Sequence, residues 1–202
     1  HLFNFIMQWA AKYYFADTND MPEPDPFYIF LSGGAGVGKS FLLNTLTEYL
    51  KRLLRYPGQN IDEQPSVIVT ASTGKAASNI GGTTLHSAFK LPLGDKWGGK
   101  SKPSHSVLAK LRNQYRYLMV ILIDEISMCN YENIKHLNST LQLIKNNKLD
   151  FGGVCLIAIG DFLQLPPVRP PSVFGLPNNK GNTYEEIAGN IWTEIFQLHE
   201  LT

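Results

Sequence analysis

Residues 33–40 read Gly-Gly-Ala-Gly-Val-Gly-Lys-Ser, a spacing that suits the binding of a polyphosphate. They follow an apolar run at 27–31 and open a segment with helical periodicity at 41–54. A glycine-rich turn between a strand and a helix lets backbone N–H groups and the positive helix end face an anion. Lys39 would reach the β- and γ-phosphates, and the Ser40 hydroxyl would be a Mg²⁺ ligand. The alternative is a glycine-rich turn that happens to precede a helix, but the complete pattern in this context favours a bound nucleoside triphosphate. The nucleotide-binding residues that we predict are Gly33, Gly34, Ala35, Gly36, Val37, Gly38, Lys39, Ser40 and Phe41.

An acidic pair follows the most apolar run of the chain. Residues 118–123 are all apolar and predict a central strand, which ends in Asp124-Glu125. Carboxylates at the carboxyl end of a buried parallel strand lie in the crevice where such folds bind ligands. We expect Asp124 to hold Mg²⁺ and Glu125 to polarise the water that attacks the γ-phosphate. An acidic strand end without a role is the alternative, but unpaired carboxylates there would repel the nucleotide unless a cation intervened.

A third strand is predicted at 154–159, and it is followed by the segment Gly160–Val168. This order delivers Gln164 to the same edge as the acidic pair. An uncharged amide there can sense the γ-phosphate by hydrogen bonding without competing for Mg²⁺. We therefore assign Gln164, together with Lys39 and Glu125, to the catalytic residues.

Two further segments could contact phosphates that do not belong to the nucleotide. A short β-branched strand at 67–70 feeds the small residues 71–77, and residues 81–89 follow with several hydroxyl groups. A plain strand–helix turn fits this pattern equally well, and a lone His86 near apolar residues is typical of packing. From Lys96 to Arg116 the chain carries six Lys and Arg residues and no acid. That run could contact a nucleic-acid backbone or be a solvated face, and the sequence leaves both open.

Other features predict one α/β domain of 202 residues. Helical periodicity appears at 2–15, 131–146 and 184–196. The formal charge of +1 gives no global signal for nucleic acid. Cys129 and Cys155 lie in or beside apolar runs without metal-ligand spacing, so we expect reduced core residues of an intracellular protein with no disulfide partner. No apolar run approaches a membrane span, and the N-terminus does not resemble a signal peptide.

Four segments together resemble the PIF-type (petite integration frequency) DNA helicases of superfamily one, most closely the helicase part of Helitron-like transposons. The segments are SGGAGVGKS, TASTGKAASNIGGTTLHSAF, LIDEISM and FGGVCLIAIGDFLQLPPV, in this order and spacing. The resemblance implies a RecA-like P-loop NTPase domain, a mostly parallel sheet flanked by helices on both faces. It also implies ATP and Mg²⁺ as cofactors, single-stranded DNA as partner, and 5′-to-3′ movement. The residues that it assigns to the DNA track are Thr70, Ser72, Thr73, Gly74, Lys75, Thr84, His86 and Phe89.

The chain departs from the pattern of these helicases at both ends. Such helicases have a Q-type motif upstream of the first helix. They also have an arginine that contacts the γ-phosphate, and it lies downstream of a segment that resembles the Glu-Leu-Thr at 200–202. Neither lies within residues 1–202, and neither does a second motor domain. We therefore expect one motor domain that needs a second domain of the same polypeptide, in a nuclear protein. Two other hypotheses stay open: a nucleotide-binding module that never translocates, and a small-molecule kinase.

Overall fold

Six strands form one sheet in the computed structural model, which describes residues 1–92, 103–161 and 190–201. Their order across the sheet is β3-β2-β4-β5-β1-β6, and neighbouring strands pair in parallel. The strands are β1 (Tyr28–Gly33), β2 (Val67–Ala71), β3 (Thr83–Thr84), β4 (Val120–Asp124), β5 (Cys155–Gly160) and β6 (Gln197–Leu201). Strands β1, β2, β4 and β5 confirm the four strands that the sequence predicts, to within two residues at either end.

Helices cover both faces of the sheet, as the fold class requires. They are α1 (Leu2–Asn19), α2 (Lys39–Leu53), α3 (Gly74–Asn79), α4 (Leu85–Phe89), α5 (His105–Gln114), α6 (Tyr131–Lys145) and α7 (Ile191–Ile195), and short 3-10 turns lie at Ile126–Met128 and Asp150–Gly153. The predicted helix at 131–146 is therefore confirmed. Of the helix predicted at 184–196, residues before 190 lie outside the described ranges.

Alternating side chains of the central strands divide the core into two layers. In β4, Val120 and Leu122 pack on the same side as α1 and α2, while Ile121 and Ile123 pack with α4, α5 and α6. This period of two is what a sheet covered on both faces demands. Cys129 and Cys155 are buried, free thiols within these layers.

The C-terminal end of the chain adds a strand that the sequence analysis leaves without an assignment. Strand β6 pairs in parallel with β1, from Ile29 opposite Gln197 to Gly33 opposite Leu201. It therefore supports the strand that leads into the glycine-rich loop. Within the ranges described, none of the helices combines the length and the apolar character needed to cross a bilayer.

Candidate functional site

The glycine-rich loop connects β1 to α2 at the carboxyl edge of the sheet. Gly36 and Gly38 have φ angles of +81° and +92°, which side chains other than glycine rarely adopt. The Lys39 ammonium donates hydrogen bonds to the carbonyl oxygens of Gly33 (2.5 Å) and Gly34 (2.7 Å). These bonds fold the lysine back over its own loop. Ser40 and Phe41 are exposed in the first turn of α2, where both are accessible to a ligand.

The acidic pair lies at the end of β4, close to Lys39. Burial raises the pKa of Asp124, while the N–H of Glu125 and the charge of Lys39 act in the opposite direction. Burial also raises the pKa of Glu125, and the negative charges of Asp124 and Asp161 raise it further, against the effect of Lys39. The ammonium of Lys39 is therefore within electrostatic range of both carboxylates of the pair. The structure brings these predicted residues to one edge.

Strand order explains why these groups meet. Strand β5 lies between β1 and β4, with Ser32 opposite Gly160 in the register. The end of β5 therefore emerges between the glycine-rich loop and the acidic pair, and places Asp161 there, 7% exposed. No role is predicted for Asp161 from the sequence, although it follows the predicted strand at 154–159. The signal that could have identified it was a carboxylate directly after a buried strand. Gln164, predicted at this edge, lies outside the described residues.

The two side chains predicted to bind Mg²⁺, Ser40 and Asp124, carry groups of the right chemical type. A hydroxyl and a carboxylate are hard oxygen ligands of the kind Mg²⁺ prefers, and the carboxylates outnumber the single ammonium around them. The residues that the structure describes hold no cluster of three or more His, Cys, Asp or Glu side chains suited to a metal ion.

Glu125 occupies an unusual backbone conformation. Its φ and ψ are 53° and 43°, in the left-handed region, and it begins the 3-10 turn Ile126–Met128. Its backbone N–H donates to Asp124 Oδ1 at 3.0 Å. Left-handed residues other than glycine cost about 1–3 kcal/mol and concentrate at functional sites. Sequence patterns carry no signal for this turn.

The predicted DNA track divides into exposed and buried residues. Strand β3 pairs with β2, with Thr84 opposite Ala71, so the segments after both strands lie side by side. The Thr73 hydroxyl oxygen accepts from the N–H of Ala76 and caps α3, which begins with the exposed Gly74 and Lys75. The equivalent oxygen of Thr84 caps α4 by accepting from the N–H of Ser87. We call the surface formed by Thr73, Gly74, Lys75, Thr84 and His86 the β2–β3 edge.

Two residues of the predicted DNA track are buried, and this corrects their assignment to a surface that contacts DNA. Thr70 is 0% exposed, and its hydroxyl donates to the carbonyl of Leu122 at 3.2 Å. Phe89 is also 0% exposed, and its ring packs 5.0 Å from that of Tyr115. Both are core residues here. His86 is half-buried, and burial lowers the pKa of its imidazole while a hydrogen bond with Asn133 opposes that effect.

The basic run is used partly for packing. Arg112 donates two hydrogen bonds to the carbonyl of Leu143, and so ties α5 to α6. The guanidinium of Arg116 lies 5.6 Å from the centre of the Tyr117 ring. Residues 93–102, which contain the first three lysines of the run, lie outside the described ranges. Both arginines are nevertheless exposed, so this half of the run lies on the surface of the protein.

The carboxylates crowded at this edge of the sheet lead us to predict that removing one of their charges stabilises the folded protein. Replacing Asp124 by asparagine removes a charge whose pKa is raised in the folded state, yet leaves an oxygen for the Glu125 N–H. Asp124→Asn should raise the free energy of unfolding by about 0.5–1 kcal/mol near pH 7.5, a small gain because solvent screens a partly exposed group. A raised carboxyl pKa makes the folded state bind more protons, so the gain should vanish as pH falls through the folded-state pKa. Urea denaturation in EDTA at several pH values measures it, and a gain that grows toward acidic pH would contradict this reading.

Comparison with known proteins identifies relatives. The model of the PIF1-like helicase family matches residues 14–174. The chain is 39% identical over 140 residues to the ATP-dependent DNA helicase PIF1 of Emericella nidulans, covering 69% of this chain and 18% of that protein. The Pif1 helicase structure from Candida albicans superposes with a TM-score of 0.58 at 33% identity, covering 87% of this chain and 36% of that one. A Bacteroides Pif1 helicase in complex with ADP-AlF3 and single-stranded DNA gives 0.57 at 28% identity, covering 89% and 39%.

Proposed function

This chain belongs to the PIF1-like helicase family, and we propose that it is the ATP-hydrolysing motor domain of a 5′-to-3′ DNA helicase. It spans 18% of the length of the Emericella nidulans relative, so unwinding would need the rest of the polypeptide, including a second motor domain. One observation, the position of β2 beside β4 in the sheet, carries the proposal. It brings the β2–β3 edge next to Asp124 and Glu125, on which the charge of Lys39 acts. The proposed nucleotide site and the proposed DNA surface are therefore neighbours.

Each residue of the site has a separate task in this proposal. The loop amides and the Lys39 ammonium would bind the phosphates, and Phe41, 77% exposed, would flank the nucleotide. Mg²⁺, held by Ser40 and Asp124, would neutralise charge on the phosphates. Glu125 would orient the attacking water and accept its proton, and Gln164 would report the state of the γ-phosphate. Hydrolysis would then change how the second motor domain packs against this one, in a nuclear protein that moves along DNA.

Binding of single-stranded DNA by the β2–β3 edge can be tested through its salt dependence. In the natural polypeptide, Lys75→Ala should weaken binding of a thymidine oligonucleotide and reduce the slope of log K against log salt by about 0.7, the loss of one phosphate contact to a single strand. Lys51→Ala is the matched control, because Lys51 is equally exposed but lies in the last turn of α2. Fluorescence anisotropy over a salt series measures both.

The same titration separates the rival functions. Equal slopes of log K against log salt for the two variants would show that Lys75 does not contact the DNA. Nucleotide binding without any affinity for single-stranded DNA would favour a module that does not translocate. ATP turnover that is indifferent to DNA but needs a small acceptor would favour a kinase.

A further inference from the structure

Ser72 joins the β2–β3 edge to the acidic pair by two hydrogen bonds. The last register pair of β2 and β4 is Ala71 with Asp124. Beyond it, the N–H of Ser72 donates to the carbonyl of Asp124 at 3.3 Å, and the Ser72 hydroxyl donates to the carbonyl of Glu125 at 2.6 Å. The Ser72 side chain thus extends the ladder of hydrogen bonds between β2 and β4. Its final bond ends on the backbone of the residue that we propose as the general base.

The bond from Ser72 reaches a backbone that needs external support. Glu125 is in the left-handed conformation, which persists only where the surroundings determine it. Its N–H is held by Asp124 Oδ1, and its carbonyl also accepts from the N–H of Met128 at 3.1 Å. Both of those partners are close to Glu125 in the sequence, since Asp124 precedes it and Met128 ends the turn that it begins. Ser72 instead anchors the turn from a neighbouring strand, so the orientation of the Glu125 side chain depends on where Ser72 lies.

The other side of Ser72 leads directly to the exposed surface. Thr73 follows it and caps α3, and Gly74 and Lys75 are the first residues of that helix. A strand bound across these residues would restrain Thr73, and through one peptide bond would restrain Ser72. The resemblance places Ser72 itself on the DNA. The geometry instead directs its hydroxyl inward, to the carbonyl of Glu125.

We propose that Ser72 is a positioning residue that couples occupancy of the β2–β3 edge to the orientation of Glu125. The inference rests on the proposed function, because it takes Glu125 as the base and single-stranded DNA as the occupant of the edge. The coupling acts through the hydrogen bond from the Ser72 hydroxyl, directly after β2, to the carbonyl of Glu125, the strained residue directly after β4. The bond keeps Glu125 in its left-handed conformation when the edge is occupied.

The experiment compares three variants of the natural polypeptide. Ser72→Ala removes the hydroxyl, Ser72→Thr keeps one, and Ser78→Ala is a control at an exposed position of α3, the helix that follows Ser72. Steady-state ATP hydrolysis is measured with and without a saturating thymidine oligonucleotide. Hydrogen exchange of the peptide that spans residues 123–129 is followed in parallel, and it reports on the turn independently of turnover. If the alanine variant does not fold, Ser72→Cys replaces it, because a thiol is only a weak donor.

We expect Ser72→Ala to lower the DNA-stimulated kcat by about 10–100-fold, the cost of a slightly displaced catalytic group. The KM for ATP and the affinity for the oligonucleotide should stay unchanged, the turn at 125–128 should exchange faster, and Ser72→Thr should restore kcat and protection. An unchanged kcat, or a loss of oligonucleotide affinity in step with kcat, would overturn the inference. Absence of DNA stimulation in the unsubstituted protein would instead refute the proposed function, while the exchange rates would still decide whether Ser72 holds the turn.

Discussion

Glu125→Gln should lower the rate of ATP hydrolysis by about 10²- to 10⁴-fold, the range expected when a general base is removed. The substitution keeps the size and shape of the side chain, so the left-handed turn and its hydrogen bonds to Asp124 and Ser72 should survive. ATP should still bind, since the substitution removes only a negative charge near the phosphates. Single-turnover hydrolysis and the affinity for a fluorescent ATP analogue measure the two effects separately.

The control for this variant is Glu48→Gln. Glu48 is exposed on α2, where the loss of one carboxylate should leave hydrolysis unchanged. Turnover at the normal rate in Glu125→Gln would rule out Glu125 as the base, and attention would then move to Asp161, the neighbouring carboxylate whose charge acts on Glu125. A loss of nucleotide affinity in step with hydrolysis would instead indicate that Glu125 contributes to binding.

Lys39→Ala should abolish ATP hydrolysis and weaken ATP binding by about 10- to 100-fold, the cost of losing a hydrogen bond to a charged group. Two physical effects combine. The phosphates lose a cation at the end of the loop, and the negative charges of Asp124 and Glu125 lose the positive charge that offsets them. The acidic pair should therefore repel a nucleotide more strongly in the variant. Equilibrium binding with and without Mg²⁺ separates the two effects, because added cation should recover part of the electrostatic loss.

Lys51→Ala is a matched control on the same helix. Lys51 lies in the last turn of α2, whereas Lys39 lies in the first, so both variants remove one ammonium from one element. Equal affinities for ATP in the two variants would show that Lys39 does not contact the phosphates. A reduction shared by both would indicate a general effect of charge instead of a contact in the loop.

Local patterns in the sequence predicted most of the fold. The apolar runs at 27–31, 118–123 and 154–159 correspond to β1, β4 and β5, because a strand buried on both faces must be apolar throughout. The spacing of glycines, lysine and serine at 33–40 located the loop between a strand and a helix, since the turn and the helix start need those residue types. The edge strand β6 carried no such signal, because three of its five residues are exposed and none is fully buried.

The family resemblance assigned two buried side chains to the predicted track. It placed Thr70 and Phe89 there by their position in the matched segment, which says nothing about the exposure of each side chain. Burial is a property of what packs against a residue. The Thr70 hydroxyl donates to the carbonyl of Leu122 on the neighbouring strand, and the ring of Tyr115 lies beside Phe89. These partners are far away in the sequence, so no short window could reveal them.

The sequence by itself determined which residues could perform phosphate chemistry and that they stand at the ends of parallel strands. Only the tertiary structure decided which of those ends are neighbours, because strand order depends on how each crossover helix packs on a face of the sheet. Insertion of β5 between β1 and β4 places Asp161 beside Glu125, and the pairing of β2 with β4 brings Ser72 to the carbonyl of Glu125. Both contacts join residues that are far apart along the chain, and neither follows from any local rule.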